Sequence, residues 1–173
     1  MNIETLNTFI RDVPDFPKPG ILFKDITPLL RSAEALGTAC RLLAEPFTNE
    51  RITQVAAIES RGFIFGSIVA QQLNAGFVPI RKPNKLPWAK RRHEYVLEYG
   101  SDALEIHDDA LTADDRVLII DDVLATGGTV AAATHLVRGF EATLVGIATV
   151  VELSFLNGRE KIGDVGFHSV LVY

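Results

Sequence analysis

Residues 117–129 read VLIIDDVLATGGT. Four apolar residues, Val117 to Ile120, precede the adjacent carboxylates Asp121 and Asp122. Three further residues lead into the turn Thr126-Gly127-Gly128-Thr129. An apolar run bounded by acids and glycines predicts a strand buried on both faces, as in a parallel sheet covered by helices. The turn then opens a helix over Thr129 to Phe140. In open α/β sheets ligands sit beyond the carboxyl ends of strands, and the free amides of a helix N-terminus suit a phosphate. Gly127 and Gly128 let the backbone approach such an anion closely, and the hydroxyls of Thr126 and Thr129 add donors. The two carboxylates suit a different partner, because they accept hydrogen bonds from vicinal hydroxyls such as those of a ribose. Together these residues predict a site for a sugar 5-phosphate. Neither G-x-x-x-x-G-K-[ST] nor G-x-G-x-x-G occurs, which sets the segment apart from nucleotide P-loops and dinucleotide folds.

The same texture continues outward. VAAIE (Val55 to Glu59), the turn Ser60-Arg61-Gly62, a helical stretch from Phe63 to Leu73 and FVPIR (Phe77 to Arg81) make one β-α-β unit. Ala142 to Val151 is a third apolar strand, and the final FHSVLVY predicts an edge strand. Alternating apolar strands and helices indicate an α/β fold with a mostly parallel sheet, here as one domain over residues 1–173. Leu6, Phe9, Ile10 and Val13 recur at helical spacing before Pro14, Pro17, Pro19 and Gly20 break the pattern. Ser32 is a candidate cap for a second helix carrying Leu36, Cys40, Leu43 and Phe47 on its buried stripe, ended by Pro46 and Asn49. Between the two units, Tyr95, Leu97 and Tyr99, then Leu104 and Ile106, alternate with polar residues across a turn at Gly100-Ser101-Asp102. That pattern predicts a hairpin with one apolar face, placed to serve as a lid over residues 82–107.

Of the 173 residues, 47% are hydrophobic and 23% charged, ordinary values for a globular chain, and the formal net charge is −5. A net acidic chain argues against a general binder of nucleic acid or anionic membrane. The charge is unevenly distributed, however. Residues 81–92 hold six cations (Arg81, Lys82, Lys85, Lys90, Arg91, Arg92) and no acid, whereas residues 98–122 hold nine acids and one base. The lone Cys40 cannot close an internal disulfide, and the opening residues lack the basic and apolar regions of a signal peptide; both fit a cytoplasmic chain. No apolar run approaches a bilayer span. His93, His107, His135 and His168 show no ligand spacing, and no direct protein ligand to a metal is assigned.

Residues 117–129 closely resemble the phosphoribosyl pyrophosphate motif of the type I phosphoribosyltransferases. Other segments narrow the resemblance: FPKPGILFKDITPLL (Phe16 to Leu30), IESRGFIFG (Ile58 to Gly66), RKPNKLP (Arg81 to Pro87), LEYGSDALEIH (Leu97 to His107) and VVELSFLNGREK (Val150 to Lys161) are similar, in order, to adenine phosphoribosyltransferases. Two departures stand out. Asn84 takes the place of a common glycine, and WAKRR (Trp88 to Arg92) is bulkier and more basic than the usual lid.

The resemblance implies transfer of phosphoribosyl to adenine, with release of pyrophosphate, by a homodimer. It implies that Asp121 and Asp122, with Ala125, Thr126, Gly127, Gly128 and Thr129, bind the ribose and its 5-phosphate. Arg61, Arg81, Lys82 and Lys85 would contact the pyrophosphate, with Mg²⁺ bridging it to the ribose oxygens. Such cations fit the chemistry, since breaking the bond at C1 builds negative charge on the leaving group. Within a hood formed by residues 1–30, the backbone of Leu22 and Lys24 would read the adenine edge, an N6 donor beside an N1 acceptor; Phe23 would stack on the ring and Val123 would close its other face. Glu98 is the candidate general base for the N9 proton and Tyr99 a hydrogen-bonding or closing partner. Glu59 is a candidate to orient Arg61, and the family often carries a strained peptide at the step matching Ser60–Arg61. Two further readings use the same fold: a phosphoribosyltransferase for hypoxanthine, guanine or xanthine, and a regulator that senses phosphoribosyl pyrophosphate and binds nucleic acid.

Overall fold

The computed structural model describes residues 1–96 and 101–173. The chain opens with α1 (Ile3–Asn7), followed by an antiparallel ribbon of β1 (Arg11–Pro14) and β2 (Leu22–Asp25), then α2 (Thr27–Arg31) and α3 (Ala33–Ala44). Next come β3 (Gln54–Ile58), α4 (Gly62–Gln72) and β4 (Gly76–Ile80). The strands β5 (Lys90–Val96) and β6 (Ser101–His107) pair antiparallel, and β7 (Arg116–Leu124), α5 (Gly128–Arg138), β8 (Thr143–Glu152) and β9 (Phe167–Val172) complete the fold.

Five strands form the central sheet in the order β4-β3-β7-β8-β9, each parallel to its neighbours. Successive side chains leave a strand on opposite faces, and both faces here are apolar. Val55 and Ala57 of β3, with Leu118 and Ile120 of β7, pack on the side of α3 and α4; Ala56, Ile58, Val117 and Ile119 pack on the side of α5. The continuous apolar runs read from the sequence are explained by this two-sided burial. The chain runs from β3 outward to β4 and from β7 the other way to β8, so the topology reverses between β3 and β7. A crevice at the carboxyl ends of those two strands is where open α/β sheets bind ligands.

The second helix begins as its sequence suggests, with Ser32 Oγ accepting from the Ala35 amide at 3.2 Å. The first helix is shorter than its spacing predicts. It ends at Asn7, and Val13 lies instead in β1 opposite Phe23. Cross-strand ion pairs, Arg11 with Asp25 at 2.6 Å and Lys24 with Asp12 at 2.7 Å, bind the ribbon together, so pairing overrides the local helical period.

The hairpin also differs from expectation. Lys90, Arg91 and Arg92 belong to β5, and Ser101 and Asp102, expected in the turn, are paired in β6 opposite Val96 and Tyr95. Nor does the described part of the hairpin protrude. Leu104 and Ile106 are fully buried, Arg91 donates to the Gly139 carbonyl and lies 3.7 Å from the Phe140 ring centre, and His93 stacks on His135 of α5 at 3.9 Å. Its apolar face is thus part of the core on the α5 side. Leu97, Glu98, Tyr99 and Gly100 lie outside the described residues. Asn84 has a φ of 64°, a left-handed conformation that glycine adopts freely and asparagine tolerates, so the backbone here accepts either residue.

Candidate active site

The crevice between β3 and β7 is a cavity of about 350 Å³. Ser60 and Arg61 line it from the end of β3, Asp121 to Val123 from the end of β7, and residues 125–129 from the turn that opens α5; Lys82 lines it too. Two glycine contacts make this arrangement possible. A Cβ on Gly62 would stand 2.9 Å from Asp121 Oδ1 and 3.0 Å from the Ile120 carbonyl, so only glycine lets α4 start against the end of β7. Gly127 has a φ of 79°, and a Cβ there would collide with the Gly158 carbonyl.

Gly158 is a neighbour that sequence reasoning missed. It follows Asn157, which is left-handed at φ 52°, and precedes Arg159, whose guanidinium grips the buried Glu152 through two hydrogen bonds of 2.6 Å. The Asn157-Gly158 pair was readable as a turn. Its packing against the turn at 125–129 was not, because that contact joins residues some thirty positions apart.

Asp121 and Asp122 are both buried. The Asp122 amide donates to Asp121 Oδ1 at 2.9 Å, and Arg61 Nε donates to Asp122 Oδ2 at 2.6 Å. Burial, reinforced by the charge on Asp122, pushes the Asp121 carboxyl well above the usual carboxylate range. A carboxyl biased toward its neutral form both donates and accepts, which suits a partner bearing hydroxyls.

Glu59 does not orient Arg61. It takes Arg81 in a two-point contact of 2.9 and 3.1 Å and accepts the Lys82 amide at 3.0 Å, and the Arg81 hydrogen bond is the chief cause holding its carboxyl below the ordinary value. Arg81 Nη1 also donates to the Lys85 carbonyl at 3.0 Å. Of the four cations predicted at the pyrophosphate, then, Arg61 and Lys82 line the cavity, while Arg81 is folded onto Glu59 and Lys85 is exposed beside it. Lys90 pairs with the buried Glu105 at 2.9 Å and Arg92 with Glu94 at 2.9 Å, both within the hairpin. The cis peptide in this region joins Glu59 to Ser60, one bond before the step the resemblance implied.

The ribbon brings the predicted base-binding residues to the same end of the sheet. Phe23 packs edge-on against Phe16 with ring centres 5.1 Å apart, and the Arg61 guanidinium lies 5.7 Å from the Phe23 ring centre. Phe23 is half-buried and absent from the core clusters. Val123 lines the cavity. Leu22 and Lys24 stand two residues apart in β2, so their backbone groups face the same edge of the strand. Opposite Leu22 stands Pro14, which has no N–H to give it. The Lys24 ammonium lies 3.7 Å from the Tyr173 ring centre, tying the ribbon to the end of β9. Glu98 and Tyr99 are outside the described residues.

The crevice thus gathers a carboxylate pair, a glycine turn at a helix N-terminus and two cations, one of them 5.7 Å from the ring centre of Phe23. A family model described as a phosphoribosyl transferase domain matches residues 29–168. The chain is 52% identical over 170 residues to the adenine phosphoribosyltransferase of Koribacter versatilis, a match covering 98% of this chain and 93% of that relative. Its structure superposes with a TM-score of 0.96 on the crystal structure of the adenine phosphoribosyltransferase from Thermoanaerobacter pseudethanolicus, at 45% identity over 99% and 100% of the two chains. It also superposes, with a TM-score of 0.92, on the Saccharomyces cerevisiae enzyme complexed with an imino-altritol bisphosphate and adenine, at 39% identity over 97% of each. Sequence, fold and crevice agree that the chain belongs to the adenine phosphoribosyltransferases.

Proposed function

We propose that the chain transfers phosphoribosyl from phosphoribosyl pyrophosphate to N9 of adenine, as in purine salvage, giving AMP and pyrophosphate. The observation that carries this reading is the convergence on one cavity, at the reversal point of the sheet, of Asp121, Asp122, the turn at residues 125–129, Arg61 and Lys82. Amides of the turn and the hydroxyls of Thr126 and Thr129 take the 5-phosphate at the start of α5. Asp121 and Asp122 hold the ribose hydroxyls. Arg61 and Lys82 face the diphosphate, where negative charge grows as the C1–O bond breaks and C1–N9 forms. Arg81 and Lys85, placed beside them, complete the basic rim; Arg81 acts in part by holding Glu59.

The backbone groups of Leu22 and Lys24 read the adenine edge, with Phe23 on one face of the base and Val123 on the other. A backbone donor and acceptor left unpaired by hypoxanthine or guanine is costly, which is the basis of selection. Glu98 takes the N9 proton and Tyr99 assists, an assignment that rests on the match of residues 97–107 to the family. In this reading residues 1–30 form the base-binding hood and residues 82–107 cover the site.

Asp121 and Asp122 are hard oxygen donors that would hold the bound waters of a Mg²⁺ carried by the substrate, and such an ion would offset charge on the leaving group. The chain acts as a homodimer, as the resemblance implies; its exposed large apolar side chains, among them Ile64, Phe77, Trp88 and Phe155, are compatible with an interface. Its place is the cytoplasm, consistent with a free Cys40. Among the described residues no helix is long and apolar enough to cross a membrane.

The test is an assay of the purified chain with Mg²⁺ and phosphoribosyl pyrophosphate against adenine, hypoxanthine and guanine. AMP should form from adenine while the other bases stay nearly untouched. Comparable turnover of guanine would overturn the base assignment.

A further inference from the structure

One polar chain reaches the cavity from the hairpin. Lys82 and Thr129 both line the cavity, and Tyr95 joins them: Lys82 Nζ donates to Tyr95 Oη at 3.3 Å, and Tyr95 Oη lies 3.3 Å from Thr129 Oγ1. Asp102, directly across the hairpin from Tyr95, accepts from Tyr95 Oη at 3.2 Å and forms an ion pair with Lys82. A carboxylate can only accept, so the single phenolic proton of Tyr95 goes to Asp102. The Tyr95 oxygen is left as acceptor for the Lys82 ammonium and the Thr129 hydroxyl. One carboxylate therefore engages a cation of the anion site directly and one of its hydroxyls through Tyr95.

We infer that Asp102 is a stand-in anion, holding Lys82 directly and Thr129 through Tyr95 until a substrate diphosphate displaces it. The inference rests on the proposed reading of the cavity as the site of phosphoribosyl pyrophosphate. Lys82 and Asp102 are 38% and 29% exposed in their side chains, so water weakens their pairing and a ligand carrying several negative charges outcompetes it. The exchange runs both ways. Asp102 keeps Lys82 oriented in the empty site and retakes it as pyrophosphate leaves, at the cost of weaker hold on that anion. Asp102 and Tyr95 are thus positioning residues, acting through Lys82 and Thr129.

Calorimetric titration of inorganic pyrophosphate with Mg²⁺ into the native chain, Asp102→Asn, Lys82→Gln and the double variant tests this. Asparagine keeps an acceptor for the Ala103 amide, which Asp102 Oδ1 holds at 2.8 Å. Asp102→Asn should tighten pyrophosphate about fivefold, the scale of a partly exposed ion pair. The KM for phosphoribosyl pyrophosphate should fall by a similar factor, and most of the gain should vanish in the Lys82→Gln background. A purely structural Asp102 would instead weaken binding. Unchanged or weaker binding by Asp102→Asn, or an equal gain without Lys82, overturns the inference. Asp102→Ser, measured in parallel, decides in the same way if the asparagine variant folds poorly. A native chain that fails to bind pyrophosphate would overturn the proposed function as well; a native chain that binds it, with no gain in either variant, overturns the stand-in role alone.

Discussion

Asp121 and Asp122 differ only by one position along β7, yet their surroundings divide them. Asp122 has Arg61 against it, whereas burial, reinforced by the negative charge on Asp122, biases Asp121 toward its protonated form. These two residues and the turn that follows were legible in the sequence because their chemistry lies within one contiguous segment. Tyr95 and Asp102 were not, since their meaning comes from Lys82 and Thr129, which folding brings to them. Glu98 is the proposed base for the N9 proton. Glu98→Gln should lower kcat by about 10²–10⁴ while leaving adenine binding little changed, measured as a split between kcat and KM. A rise in KM alone would make Glu98 a reader of the base.

At the scale of elements, each strand of the parallel sheet was readable because burial on both faces forces an uninterrupted apolar run. The ribbon and the hairpin were harder. Residues 11–14 have a spacing that also suits a helix, and only pairing with residues 22–25 decides the matter. The basic stretch at 90–92 reads as a loop until its partners at 105–107 are placed beside it. Glu59 shows how elements are joined at the site: it links the end of β3 to Arg81 and the Lys82 amide just past β4. Because its folded pKa is lowered, this carboxylate stabilises the fold above its unfolded pKa, and that contribution is lost as pH falls through the lower folded value. Glu59→Gln should therefore lower the Tm at pH 7, with the deficit closing as pH drops below the ordinary glutamate range. Thermal melts across that range check it; a deficit independent of pH would assign the loss to packing instead.

For the molecule as a whole, a net charge of −5 on a chain proposed to bind a polyanion is resolved by position. The cations nearest the site, Arg61 and Lys82, lie just after β3 and β4, and Arg61 reaches Asp122 at the end of β7 at 2.6 Å. Most of the remaining basic residues in the 81–92 stretch are engaged within the hairpin or with Glu59. Net charge thus describes solubility, and the reversal of the sheet between β3 and β7 places the few charges that matter. The central claim is that this crevice holds phosphoribosyl pyrophosphate through its carboxylate pair. The most direct measurement is calorimetric binding of phosphoribosyl pyrophosphate with Mg²⁺ to the native chain and to a variant carrying both Asp121→Asn and Asp122→Asn. Replacing both carboxyls that hold the ribose hydroxyls predicts binding weaker by at least about tenfold, with the fold retained. Equal affinity in a folded variant would contradict the account.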